Sequence, residues 1–393
     1  MTSKKFKVTP IILKELEQVI GIVADALVIP EEGRKRIIKV MKRDGWKSIR
    51  AVRSGNKIVG GSLIMDFGHF FGGSVVRSAG ITLVGISPEY RRTGACKFMV
   101  DEIIRETHKK GIPISTLFPA NASLYRKSGF EFALEWARTE IDLDEISVRN
   151  MDCEMVKYEG KKATEIKKLY RKYALQMNGG IDRPDSLWKR LLHPSWLGNP
   201  VKFLVKNNGK VTGYIIYKTS RDERELTVFD YAALDRDTAE RLLTFIADHS
   251  SQLKKAVFYG CEDDPMLQLL PEMAYEIKKR FDCMLRVVSV PGALMSRGYS
   301  KVIDAECHFD ITDDLIAENN GKFLIGVKNG KAHVERGGRG DVRIDIRSFA
   351  QLFTGYRSPI ELQLIGRIEG PSEELEKAGA IFSGPKPWLR DIF

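Results

Sequence analysis

Ile81 to Ile86 is a short apolar run that Pro88 stops, and Arg91, Arg92 and Gly94 follow in a basic turn. Phe98, Met99, Ile103 and Ile104 then recur at helical spacing, with charged residues between them. A buried strand, a glycine-containing basic loop and an amphipathic helix, in that order, make an α/β unit, and this constrains the fold more than any other stretch. A helix N-terminus leaves about four backbone N–H groups unpaired and carries partial positive charge. Gly94 permits close approach of a ligand, and the arginines add charge, so the turn is suited to a phosphate or pyrophosphate. The plainer alternative is a strand–turn–helix connection with two solvated arginines.

Around this unit the chain reads as alternating helices and strands. Ile12, Leu13, Leu16, Val19, Ile20 and Val23 mark an amphipathic helix, with Asp25 near its end, and a second helix covers Glu31 to Met41. Ser48–Arg53 and Lys57–Met65 form a hairpin through Ser54-Gly55-Asn56. Phe67 to Gly73 reads as a glycine–aromatic loop and Val75–Ala79 as a short strand. After the helix come a strand at Pro113–Phe118, a short helix at Asn121–Lys127 and a strand at Phe130–Leu134. Near residue 150 the pattern restarts, with helices at Lys162–Gln176 and Arg183–Leu192 and a second hairpin about Asn207-Asn208-Gly209. Lys210-Val211-Thr212-Gly213 echoes Lys57-Ile58-Val59-Gly60, which suggests a duplicated domain. Its strand-to-helix turn is Asp235-Arg236-Asp237-Thr238, with no glycine and two carboxylates that would repel a pyrophosphate. From Met284 onward short strands and helices predict an α+β unit. The expected domains are therefore 1–150, 151–283 and 284–393.

The 393 residues are 43% apolar and 29% charged, as in a globular protein of about two or three domains. No apolar run approaches the roughly 18–20 residues of a membrane span, and no secretion signal follows Met1, so the expected location is the cytoplasm, away from membranes. The five scattered cysteines fit a reducing compartment. The net charge of +11 is compatible with an anionic partner, but the basic residues are dispersed and no nucleic-acid motif is present. The six histidines, His193 among them, lack metal-ligand spacing, so no metal is expected. The chain ends in Trp388-Leu389-Arg390-Asp391-Ile392-Phe393, an apolar terminus that calls for burial and carries the α-carboxylate in with it.

Arg91-Arg92-Thr93-Gly94-Ala95-Cys96 resembles the Gln/Arg-x-x-Gly-x-Gly/Ala signature of GNAT N-acetyltransferases, with Cys96 in the last small position. Asn121-Ala122-Ser123-Leu124-Tyr125, running into Gly129-Phe130, resembles the second GNAT signature, in the right order and about 30 residues on. Over its full length the chain resembles the Eis type of acetyltransferase. That resemblance implies tandem GNAT folds, the second without a cofactor loop, followed by a sterol-carrier-protein-like domain whose C-terminus enters the active site.

The resemblance also implies the chemistry. The co-substrate is acetyl-CoA, held by the backbone of Val84, Gly85 and Ile86, by Arg91, Arg92, Thr93, Gly94, Ala95, Cys96 and Lys97, and by Ala120 and Asn121. Tyr125 is the general acid, and the α-carboxylate of Phe393 is the base. An exposed α-carboxyl titrates at roughly 3.3–3.7, and burial of the tail would raise that. The acceptor is a primary amine, on an aminoglycoside or polyamine-like molecule, with Asp25 as a candidate contact. The alternatives are a protein lysine or peptide amine, or a non-enzymatic acyl-CoA sensor or lipid-binding module. Asp391 reads as a solvated surface acid. Relatives imply a homo-oligomer of six copies.

Overall fold

The computed structural model describes residues 6–160, 163–192, 198–271 and 274–393, so His193 and the start of the helix expected from Lys162 lie outside the described residues. Its first strands are β1 (Phe6–Pro10), β2 (Ile49–Ser54), β3 (Lys57–Phe71), β4 (Ser74–Ile86), β5 (Ile114–Leu117) and β6 (Glu131–Leu134). Helices α1 (Leu16–Leu27), α2 (Glu31–Asp44), α3 (Ala95–Lys109) and α4 (Ala122–Arg126) flank them. Leu16, Val19, Ile20, Val23 and Ala24 of α1 are buried on the sheet. They come this close because the facing strands carry glycine: a Cβ on Gly61 would lie 2.4 Å from Val19 Cγ1, and one on Gly85 would lie 2.7 Å from Val23 Cα.

The expected aromatic loop is not a loop. Phe67 to Phe71 continue β3, which pairs with β4 from Phe71↔Ser74 back to Gly60↔Ile86 as one long hairpin. The short strand expected at Val75–Ala79 is likewise part of β4. Phe70 packs with Tyr170 and Trp188 of the second domain, while Phe71 lies edge-on to Phe353 of the third at 5.4 Å. A strand buried on both faces has no polar alternation to reveal it.

The strands that follow are β7 (Ala137–Asp142), β8 (Glu154–Lys157), β9 (Ile181–Asp182), β10 (Val201–Asn207), β11 (Lys210–Ser220), β12 (Glu225–Ala233), β13 (Lys255–Gly260), β14 (Tyr275–Arg280) and β15 (Cys283–Val287). The second sheet has the order β14-β7-β13-β12-β11-β10-β8, and the first runs β1-β2-β3-β4-β5-β15-β6 with β9 paired to β3. Two strands thus cross the boundaries expected near residues 150 and 284. β7 leaves the first unit to join the second sheet, and β15 returns from the second stretch to lie antiparallel between β5 and β6. All five residues of β15 are buried, Arg286 included, so its sequence lacks the alternation of a half-exposed strand and does not say which sheet it completes. Helices α5 (Thr164–Ala174), α6 (Asp185–Leu192) and α7 (Arg236–Ala247) accompany the second sheet.

The third unit is a five-stranded sheet within residues 305–369, covered by helices Ile346–Thr354 and Ser372–Phe382. The rings of Phe309, Phe349 and Phe382 meet edge to face at 5.9–6.3 Å and fill its centre. It is fastened to β15 by the fully buried pair Arg286–Asp313, at 2.6 Å. Among the described residues no helix is long and apolar enough to cross a membrane.

His69 links the first two units. Its Nδ1 lies 2.7 Å from the Gly179 carbonyl and its Nε2 3.1 Å from Thr116 Oγ1. A carbonyl only accepts, so Nδ1 carries the proton and Nε2 accepts from the threonine hydroxyl. Burial pushes the imidazole pKa from 6.5 down to about 4. The unfolded chain therefore binds a proton over that window that the folded chain refuses. Stability is full above about pH 6.5 and falls as the pH drops toward 4, by on the order of 3 kcal/mol. Urea midpoints measured across pH 7.5–4 should show this slope, and His69→Gln should flatten it; parallel profiles would refute the assignment.

Candidate active site

β4 and β5 run parallel only from Ser78↔Ile114 to Gly80↔Thr116. β5 ends at Leu117, whereas β4 continues to Ile86, so the two strands part and a cleft opens beside Ile81–Ile86. A bulge opposite Ser62 strengthens the divergence, since the register of β3 with β4 shifts between Gly61↔Gly85 and Leu63↔Thr82. Leu83 sits in that bulge with φ +52°, a left-handed conformation that a leucine adopts only when its surroundings hold it there. Val84 and Ile86 follow directly.

The basic turn lies at the end of this strand. Arg91 to Gly94 are exposed and Arg92 and Gly94 have positive φ. Gly94 is the N-cap of α3 at φ +89°, and nothing lies within 4 Å of where its Cβ would be. Its side-chain-free cap leaves the N–H groups of the first turn, Ala95, Cys96 and Lys97, facing outward, a geometry suited to an oxyanion. Thr93 Oγ1 donates to the Tyr90 carbonyl at 2.7 Å and pins the turn. Lys97 is already engaged with Asp101 at 2.5 Å, so it adds local charge rather than a free ammonium. Burial pushes the Cys96 thiol up to about 11, which keeps it protonated and unreactive at neutral pH.

Tyr125 projects from α4 into the same neighbourhood. Asn121 caps that helix: its Oδ1 accepts from Leu124 N at 3.4 Å and from Ser123 Oγ at 2.7 Å. Tyr125 is 5% exposed and stacks edge-on against Phe130 at 6.1 Å, yet its hydroxyl has no hydrogen-bond partner among the described residues. Burial, with Cys96 nearby, holds the phenol well above its ordinary pKa.

The chain terminus arrives between the first and second units. Trp388 N donates to Asn178 O at 2.9 Å and Leu389 N to Glu135 O at 3.0 Å. Arg390 donates to Asp230 at 2.7 Å, to the Tyr231 carbonyl of β12 at 2.9 Å and to the Tyr259 carbonyl of β13 at 3.0 Å. β12 and β13 are parallel over only Glu225–Thr227 and then part, as β4 and β5 do, and here the arginine spans the gap. Asp391, expected as a solvated acid, is instead bonded to the buried Arg183 at 2.9 Å. Phe393 is 8% exposed, with its ring against Phe67 at 4.8 Å and Phe118 at 5.6 Å. Thr82 Oγ1 of β4 donates to a terminal oxygen of Phe393 at 3.0 Å, and Arg190 donates to the Ile392 carbonyl.

That oxygen faces a cavity of about 570 Å³. Leu63 and Thr82 form its floor, Ile37 and Met41 of α2 its roof, and Leu187 of α6 a wall. Asp25 is not among its lining residues. It occupies the exposed face of α1, because the helix turns its apolar stripe to the sheet, so the acceptor contact expected there is not supported. Sequence reasoning also missed Thr82 and Arg190. A threonine in a strand and an arginine in a helix carry no local signal of a role toward a chain end some 200–310 residues away.

Comparisons with known proteins agree with this architecture. Models of the acetyltransferase (GNAT) domain match residues 7–133 and 179–287, and one of the sterol carrier protein domain matches residues 290–390. N-acetyltransferase Eis of Mycobacterium tuberculosis is 23% identical over 92% of this chain and 89% of its own length. The crystal structure of Eis1 from Mycobacterium abscessus shares the fold at TM-score 0.81 and 18% identity, covering 99% of this chain and all of that one. A GCN5-related N-acetyltransferase from Anabaena variabilis superposes at TM-score 0.94, with 34% identity over 99% of this chain and 100% of its own. The chain belongs to the GCN5-related N-acetyltransferase family and resembles its Eis members over nearly its whole length.

Proposed function

We propose that this N-acetyltransferase moves the acetyl group of acetyl-CoA to a primary amine that enters through the 570 Å³ cavity. The observation that carries the reading is the chain terminus: a carboxylate fixed by Thr82 on β4, where the cavity meets the strand that borders the cleft. Arg91, Arg92 and the first turn of α3 hold the pyrophosphate. The backbone of Val84 to Ile86 follows the pantetheine arm and faces the acyl carbonyl, and Ala120 and Asn121 border the same arm. Asn121 contributes through groups other than Oδ1, which α4 already uses.

Bound acetyl-CoA supplies an acetyl thioester, whose C–S bond breaks as the C–N bond to the amine forms. The Phe393 carboxylate accepts the proton that the amine nitrogen loses. Tyr125 gives its hydroxyl proton to the departing sulfur and regains one from solvent. The second GNAT unit binds no second acetyl-CoA in this reading: Asp235 caps α7 with a carboxylate that accepts from Thr238 N at 2.8 Å, and Arg390 fills the gap between β12 and β13. A homo-oligomer belongs to the same reading by resemblance.

The test is thiol release across a panel of amines, with melting temperature followed in parallel. Acetyl-CoA at a hundred times its Kd should stabilise the chain by about 2.7 kcal/mol, and thiol release should require an amine. No thermal shift would overturn the cofactor assignment; a shift with no release from any amine would overturn the transfer.

A further inference from the structure

The cavity is cationic. Among the described residues, Arg43 at the end of α2 and Lys189 and Arg190 of α6 line it, against one acidic side chain, Asp66 of β3. Asp66 is itself paired with Arg77 at 3.0 Å. The other negative group is the Phe393 carboxylate at the inner end. Lys189 is exposed; Asp185, one turn back on α6, attracts it but is itself ion-paired with Lys167. Arg190 donates to the Ile392 carbonyl, a neutral group; Asp391 attracts it from beyond ion-pair distance and is itself bonded to Arg183. Hydroxyls of Ser48 and Ser186 share the lining and can donate to an oxyanion. The walls between these groups are aliphatic, so charges inside are screened less than at an open surface.

An amine bearing several positive charges would bring like charge against Lys189 and Arg190, with only the paired Asp66 and, at the inner end, the Phe393 carboxylate to offset it. An amine that also bears a negative group meets the opposite situation at both ends. We infer that the acceptor is a primary amine carrying an anionic oxyacid group, a carboxylate or phosphate, which Lys189 and Arg190 hold while the amine reaches the Phe393 carboxylate. The inference rests on the acetyl-transfer reading above and narrows its acceptor away from aminoglycosides and polyamines.

The experiment compares kcat/KM for four matched series of graded chain length: ω-amino carboxylates, aminoalkyl phosphates, neutral alkylamines and α,ω-diamines. One of the two anionic series should exceed the diamines by roughly tenfold or more, with the difference shrinking as salt is added. Which anionic series leads identifies the oxyacid. Lys189→Glu, at an exposed position, should reverse the order, raising KM for the anionic series and lowering it for the diamines. Diamines or neutral amines leading in the unaltered enzyme, or an order that Lys189→Glu leaves intact, would overturn the inference while leaving acetyl transfer standing. Absence of release from every series, in enzyme that acetyl-CoA stabilises, would instead remove acetyl transfer and this inference with it.

Discussion

Adding a glycine after Phe393 should lower kcat by about 10²–10⁴-fold, the usual contribution of a positioned general base, while the melting temperature stays nearly constant. The tail does not depend on its last atoms for its place. Backbone bonds at Trp388 and Leu389, the three contacts of Arg390 and the Asp391–Arg183 pair fix it upstream. The Phe393 ring keeps its contacts with Phe67 and Phe118 in the extended chain. What changes is chemical: the carboxylate beside Thr82 becomes an amide, which accepts a hydrogen bond but takes no proton at neutral pH, and the charge moves on by about 3.8 Å. A second variant guards against the added residue simply blocking the cavity. Deleting Phe393 leaves the cavity larger and places a carboxylate on Ile392, one residue short of Thr82, and should also lose activity. Thiol release at saturating acetyl-CoA, read beside thermal melting, separates lost chemistry from lost fold. Undiminished kcat in both variants would remove the terminal carboxylate from the mechanism.

The sequence exposes the cofactor side of the proposed site far better than its acceptor side, for a physical reason. Holding a pyrophosphate at a helix N-terminus needs a glycine in left-handed conformation and nearby charge in consecutive residues, so Arg91 to Lys97 are legible together. The order of three units was legible too, because hairpin turns and helix periodicity are local. The strand exchange was not: β7 and β15 each complete a sheet begun elsewhere, and a strand's own residues do not say which strand it pairs with. The cavity proposed for the acceptor is built by side chains from β3, β4, α2, α6 and the terminus, which are far apart in sequence. Asp25 reads in the sequence as an acid on the first helix, but which face of α1 it occupies is decided by Val19 and Val23 seeking Gly61 and Gly85. The buried tail was foreseeable from its composition. That Arg390 would bridge the second pair of diverging strands was not, since an arginine is ordinarily read as solvated.

Tyr125→Phe should lower kcat roughly 10²-fold or more, and leave stability and the thermal shift with acetyl-CoA nearly unchanged. The phenol hydroxyl makes no hydrogen bond among the described residues, so its removal orphans no buried partner and leaves the edge-on contact with Phe130 in place. Its environment suits an acid. Burial disfavours the phenolate and holds the pKa above the ordinary value near 10, so the proton is present throughout the neutral range. The sign has two consequences. The neutral phenol contributes to stability below about pH 10, and that contribution fades as the pH rises through the higher folded value. The activity profile of the unaltered enzyme should therefore lack an alkaline decline from this group below pH 10, whatever limb the base imposes on the acid side. Burial that raises the pKa also weakens Tyr125 as an acid toward bulk water, but the partner in the reaction is a thiolate leaving inside the same low-dielectric cleft, where charge is equally unwelcome and proton transfer removes it. If the Phe variant turns over as fast as the parent with a poor thiol leaving group, where protonation matters most, the sulfur leaves unassisted and Tyr125 is a packing residue.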